Sequence, residues 1–191
     1  KAWERSVEID ANFPTVWRNL ALAAYNKQND ADKALGCMEK AFSLDTTDGR
    51  LLMELDQLRK RLNISPAERL AFLQQYPELV MQRDDLYLER VTLLNQAGSY
   101  GAAKMLLDAH VFHPWEGGEG KVVAQYQFSR VEMAKQCLKA QKYKEALTLL
   151  DECLVYPNHL GEGKLRNAQE NDFYYFIGCA YEQLGEHDSA S

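Results

Sequence analysis

The chain has 191 residues, 46% of them apolar and 26% charged, with a formal net charge of −6 and only 11 glycines and 5 prolines. Those values exclude collagen-like, low-complexity and intrinsically disordered chains, and no stretch approaches the ~18 uninterrupted apolar residues of a membrane span. Lys and Arg are scattered among acids rather than gathered into a basic stripe, so neither nucleic acid nor an anionic membrane is an expected partner.

Apolar residues recur at three- and four-residue spacing through nearly the whole chain, which predicts an all-α protein. Breakers cut the pattern into helices of about 12–18 residues joined by short turns, the signature of an α-hairpin array. Residues 1–13 read as the tail of a helix ending on Ile9-Asp10, with residues 2–10 as the second helix of an earlier hairpin. Residues 14–47 carry Trp17, Leu20, Ala21, Tyr25, Ala34, Met38 and Ala41, and close on Leu44-Asp45, 35 residues after Asp10. Residues 48–82 carry Leu52, Leu55, Leu58, Leu62, Ala67 and Phe72, with a capping box at Ser65-Pro66-Ala67-Glu68 that predicts a helix start. Residues 83–120 open on Asp84-Asp85, suited to a helix N-terminus, and continue with Tyr87, Val91, Leu94, Gly98, Tyr100, Ala103 and Leu107. Residues 121–167 carry Met133, Ala134, Cys137, Tyr143, Ala146 and Leu150, and residues 168–191 carry Tyr174, Ile177, Gly178, Tyr181, Gly185 and Ala190.

This series resembles the tetratricopeptide repeat, a 34-residue helix-turn-helix with the pattern W-x2-L-G-x2-Y…A-x3-F. The first copy needs one inserted residue between Leu20 and Tyr25. The resemblance implies a right-handed superhelical solenoid. In it, small residues such as Ala21, Ala34, Ala103 and Gly178 let paired helices approach, and Trp17, Tyr87 and Tyr174 fill the gap to the next hairpin. Both ends then read as cuts inside a repeat, as though the chain were part of a longer protein.

Two longer loops echo each other. Pro114-Trp115-Glu116-Gly117-Gly118-Glu119-Gly120-Lys121 and Pro157-Asn158-His159-Leu160-Gly161-Glu162-Gly163-Lys164 share P-x3-G-E-G-K at an offset of 43 residues. Consecutive loops of an array lie along one edge, so the two are expected side by side. A phosphate-binding P-loop is excluded, because Trp115 and Asn158 stand where its first Gly belongs and Val122 and Leu165 where its Ser or Thr belongs. Two readings remain. In one, the prolines stop helices, the glycines supply positive-φ turns and the charges are solvated. In the other, His113, Trp115, Glu116, Glu119, Lys121, His159, Glu162 and Lys164 form a binding patch in which the glycine amides serve as donors. The string His113-Pro114-Trp115-Glu116-Gly117-Gly118-Glu119-Gly120, with Asp84-Asp85-Leu86-Tyr87-Leu88-Glu89, resembles bacterial multi-repeat proteins. In those a β-rich N-terminal domain, sometimes linked to carbohydrate metabolism, precedes the repeats.

The resemblance also implies that first helices line a concave groove. Its positions map to Arg18, Leu22, Tyr25 and Asn26; Arg50, Met53, Gln57, Lys60 and Arg61; Asp85, Leu88, Thr92, Asn95 and Gln96; and Phe128, Val131, Lys135, Leu138 and Lys139. Arg18 followed by Leu22 departs from the clamp that holds chaperone tails. Groove candidates are therefore Arg18, Asn26, Lys60, Arg61, Asn95, Phe128 and Lys135, facing a peptide with acidic and apolar residues.

The four cysteines form no C-x-x-C pair and read as buried thiols in a reducing compartment. With no signal peptide in view, the expected location is cytoplasmic. His110 and His113 lie three apart with only Glu116 as a further donor, so no metal is expected, nor any cofactor or catalytic residue. The expectation is a non-catalytic interaction or scaffold module that binds a polypeptide partner or its own N-terminal domain, and nothing fixes an oligomeric state. The alternative is an accessory region of a carbohydrate-active enzyme whose Gly-Glu-Gly-Lys loops contact a sugar or that N-terminal domain.

Overall fold

Helix stop and start signals set the architecture. The computed structural model describes Arg5 and residues 11–185; apart from Arg5, the readings made for residues 2–10 and those for residues 188–191 concern residues outside these. The described residues form ten α-helices and no strand. Two compact units, Lys1–Arg90 and Val91–Ser191, divide the chain within the helix Asp84–Gln96.

In the first unit, α1 (Pro14–Ala23) opens on a proline whose fixed φ suits the first helical position. It runs into a π-helical turn, Ala24–Gln28. A widened turn is how a helix absorbs one extra residue, and the insertion expected before Tyr25 falls there. Helix α2 (Ala31–Leu44) is capped by Asp30, which accepts from the Lys33 amide at 3.0 Å. Helix α3 (Gly49–Arg61) is capped by Asp48, which accepts from the Arg50 amide at 2.7 Å. At α4 (Pro66–Leu73) the capping box is complete: the Glu68 amide donates to Ser65 Oγ at 3.2 Å, and the Ser65 amide donates to Glu68 Oε2 at 3.3 Å. Pro77 starts a separate short helix, α5 (Pro77–Met81), and α6 (Asp84–Gln96) opens on its two aspartates. Helix α2 packs on α1 and α3, and α3 on α4 and α5. The core includes Ala21, Ala34, Leu52, Leu55, Leu73 and Val80. Ala67, expected inward, is exposed, and Leu73 is buried instead. Asp56 and Arg69, 0% and 3% exposed, form a two-point ion pair at 2.6 and 3.0 Å, and Arg69 also reaches Glu89 at 2.6 Å. Removing one partner of such a pair would leave a buried charge, at a cost of roughly 3–5 kcal/mol.

In the second unit, α7 (Tyr100–Ala109) packs on α8 (Lys121–Lys139), α8 on α9 (Tyr143–Cys153), and α9 on α10 (Asn171–Leu184). Val131, Ala134, Ala146, Leu150, Cys153 and Phe173 form its core. Arg130 is buried between Asp108 and Glu152, with its guanidinium 3.4 Å from the centre of the Tyr126 ring. Two cysteines depart from expectation: Cys37 and Cys153 are buried, but Cys137 and Cys179 only half so. Burial pushes the Cys153 thiol up to about 12. Tyr174, expected to pack against a neighbouring hairpin, is 56% exposed.

Five helices end on a residue in the left-handed conformation: Asn29, Asn63, Gly98, Gln141 and Gly185, spaced 34, 35, 43 and 44 residues apart. Around Asn63, Gly98 and Gln141 the same pair of bonds closes the turn. The amides of Ile64, Ser99 and Lys142 donate back to the carbonyls of Arg59, Leu94 and Cys137, and the amides of Asn63, Gly98 and Gln141 donate to those of Lys60, Asn95 and Leu138. The two longer spacings contain the two Gly-Glu-Gly-Lys loops.

Candidate functional site

Two surfaces gather the candidate residues, one in each unit. In the first unit, α1 and α3 flank a groove enclosing about 240 Å³, lined among others by Arg18, Leu22, Tyr25, Met53, Gln57 and Arg61. All six are positions that the repeat pattern directs to a concave face. The groove also includes Met38 of α2 and Glu54 of α3, which the sequence reading missed. Arg18 is committed to Glu54, with Nη2 donating to Oε1 at 2.6 Å, and Arg50 Nε adds a bond to the same carboxylate at 3.0 Å. Burial alone would raise the Glu54 pKa, but the bonds from Arg18 and Arg50 outweigh it and hold the carboxyl low. The same bond raises the Arg18 guanidinium.

Arg61 has no ion-pair partner among the described residues; its guanidinium stands 5.9 Å from the centre of the Tyr25 ring. Tyr25, on the π-helical turn, also lines an adjoining open pocket of about 310 Å³ with Asn26 and Asn29. Lys60 lies outside the groove lining and pairs with Glu89 at 2.8 Å.

The remaining groove candidates belong to the second unit. Asn95 is 2% exposed, and its Nδ2 donates to Gln125 Oε1 at 2.9 Å, so it presents nothing to a ligand. Phe128 is exposed and meets the Tyr100 ring edge-on at 6.0 Å. Lys135 pairs with Glu132 at 2.6 Å and stands 5.4 Å from the centre of the Phe176 ring.

The two echoing loops are stitched together. The Phe112 amide donates to the His159 carbonyl at 2.7 Å. Glu162 reaches across the chain: Oε2 accepts from the Gly120 amide at 2.6 Å and Oε1 from the Val123 amide at 2.8 Å. This carboxylate caps the N-terminus of α8, where unpaired amides and the helix dipole favour a negative charge. Between the loops lies a cavity of about 320 Å³, walled by Pro114, Trp115, Val122 and Leu160 and edged by Glu116 and Glu119. The indole of Trp115 lies on Gly118, where a Cβ would come within 2.4 Å of the ring.

Of the loop candidates, His113, Trp115, Glu116, Glu119 and Glu162 come together at this cavity, whereas Lys121, His159 and Lys164 do not line it. Lys164 pairs with Glu170 at 2.6 Å, and that bond, joined by one from Tyr156, holds the Glu170 carboxyl below its usual range. His159 has a buried Nε2 without a hydrogen-bond partner. Four of the five glycine amides expected to be donors are spent: Gly117 on Glu119, Gly118 on the Trp115 carbonyl, Gly120 on Glu162, and Gly161 on the Asn158 carbonyl. Val122, directly after the first string, and Leu160, inside the second, were not among the sequence candidates; their places in or beside the string were the available signal. Among the described residues no three His, Cys, Asp or Glu side chains converge as metal ligands, and no helix is long and apolar enough to cross a membrane.

No family model matches the chain. Solved structures do match in fold. YrrB, a TPR protein with an unusual peptide-binding site, superposes with a TM-score of 0.57 at 16% identity, over 100% of this chain and 87% of that one. MamA superposes with a TM-score of 0.53 at 16% identity, over 93% of this chain and 85% of that one. The chain is a tetratricopeptide-like protein in its fold, an all-α array of helical hairpins.

Proposed function

We propose that the chain is a non-catalytic polypeptide-binding or scaffold module whose first-unit groove takes a segment with apolar and acidic residues. One observation carries this reading: Leu22, Tyr25 and Met53 line a preformed groove beside a guanidinium, Arg61, with no carboxylate partner among the described residues. An apolar side chain would fill the 240 Å³ space, and a neighbouring carboxylate would meet Arg61 in a charge-assisted contact. Arg18, already neutralised by Glu54, shapes the wall rather than attracting charge. The peptide-binding site of YrrB, a protein of similar fold, agrees with this reading. Fold likeness alone assigns no partner, so the argument rests on the groove.

The test is an array of capped hexapeptides alternating Leu with Asp, Glu, Gln or Lys. The acidic series is expected to bind best, and Arg61→Glu to weaken it by about tenfold, near 1.4 kcal/mol. An array without preference for acidic over basic peptides, or an Arg61→Glu protein that keeps the preference, would remove the proposal.

A further inference from the structure

The loop cavity of the second unit differs from the groove in both sign and wall. Its polar edge is acidic. Glu116 and Glu119 are exposed and have no cationic partner among the described residues, and the third nearby carboxylate, Glu162, is consumed by the Gly120 and Val123 amides. Its walls are apolar, with an indole, a proline ring and the side chains of Val122 and Leu160. We infer that this cavity receives an arginine or lysine side chain of a partner polypeptide, a second contact site separate from the groove.

The chemistry of such a side chain fits in two parts. Its methylene stem would lie along Val122, Leu160 and Trp115, as long cationic side chains do on apolar surface. Its charged head would meet Glu116 and Glu119 and gain further from the indole. The cavity is preformed, because the Phe112–His159 bond and the two bonds to Glu162 fix one loop on the other, so little ordering cost attends binding. A sugar ring would need donors as well as acceptors around it. Among the lining side chains only those of Trp115 and His113 carry a donor, four of the glycine amides are already bonded within the loops, and the carboxylates at the edge only accept. A cation is therefore favoured over a saccharide.

The inference rests on the reading that the chain binds polypeptide, but on a different surface, so the two can fail separately. The experiment is an amide-resolved NMR titration with capped pentapeptides Leu-Ala-Xaa-Ala-Leu, where Xaa is Arg, Lys, Gln or Glu, and with maltotetraose and cellotetraose. The Arg and Lys peptides are expected to shift amides of residues 112–123 and 160–163, with the Gln peptide at least about fivefold weaker and the Glu peptide silent there. The double variant Glu116→Gln, Glu119→Gln should weaken the Arg peptide by about tenfold, while Arg61→Glu should leave these shifts within about twofold. Equal binding of Arg and Gln peptides, an Arg peptide that leaves these amides unmoved, a double variant that binds as well as the parent, or a tetrasaccharide shifting the same amides would each overturn the inference.

Discussion

The two Gly-Glu-Gly-Lys loops share a string but not a conformation; the five turns that end helices at Asn29, Asn63, Gly98, Gln141 and Gly185 share a conformation but not a residue. In the loops, positive φ falls at Gly117 and Gly120 in the first and at Gly161 in the second, so no aligned pair of glycines agrees. The chain that follows decides the difference. Lys121 enters α8 at once, whereas residues 165–170 intervene between Lys164 and the start of α10 at Asn171. In the turns, by contrast, the helix behind fixes the geometry through backbone bonds, and the side chain is only tolerated. A repeated motif is thus weaker evidence of repeated structure than a repeated hydrogen-bond demand.

The largest test of this contrast is glycine replacement in the second loop. Gly161 has φ +72°, and a Cβ there would stand 2.5 Å from the Phe112 carbonyl oxygen, a backbone atom that cannot swing aside. Gly163 has no atom within 4 Å of such a Cβ. Gly161→Ala is expected to lower stability by about 3 kcal/mol, combining left-handed strain with the clash, and Gly163→Ala by no more than ~0.5 kcal/mol. Urea unfolding measures both. Similar losses would mean that the loops are interchangeable after all.

A smaller test compares the two glutamates at one place in the string. Glu162 holds two amides at the N-terminus of α8, so Glu162→Ala should cost about 1–2 kcal/mol. Glu119 makes only a 3.4 Å contact to the Gly117 amide, and Glu119→Ala should stay within ~0.5 kcal/mol. A reversed order in the unfolding midpoints would show that the caps had been assigned to the wrong loop.

Much of the fold was legible in the sequence because its signals are local. The Ser65–Glu68 capping box, the aspartates opening α6 and the residue inserted before Tyr25 all act within one or two helical turns. The groove positions Arg18, Tyr25 and Arg61 were legible through the tetratricopeptide resemblance, whose repeat positions assign residues of successive first helices to one face. What stayed hidden was pairing across distance. That Arg18 is neutralised by Glu54, that Asn95 is buried against Gln125, and that Arg69 joins Asp56 to Glu89 depends on which helices meet, and each acid had equally plausible neighbours in the sequence. Glu162 is the clearest case, because its partner amide at Gly120 is 42 residues away.

The turns offer the finest test, because their conformation is shared and only the tolerance of the residue varies. Gln141 has φ 60° and an exposed side chain, and neither glycine nor asparagine stands there to ease it. An ordinary L-residue in that region is strained by roughly 1–2 kcal/mol, while a glycine would return ~0.4–1 kcal/mol through the greater freedom of the unfolded chain. The strain is the larger quantity, so Gln141→Gly should stabilise the protein by about 0.5–1 kcal/mol. Asn63→Gly, at φ 59°, should gain less, since asparagine visits this region at lower cost. Equal effects of the two substitutions on the urea midpoint would place the strain in the shared backbone rather than in the side chain, and the turns would then be alike in energy as well as in shape.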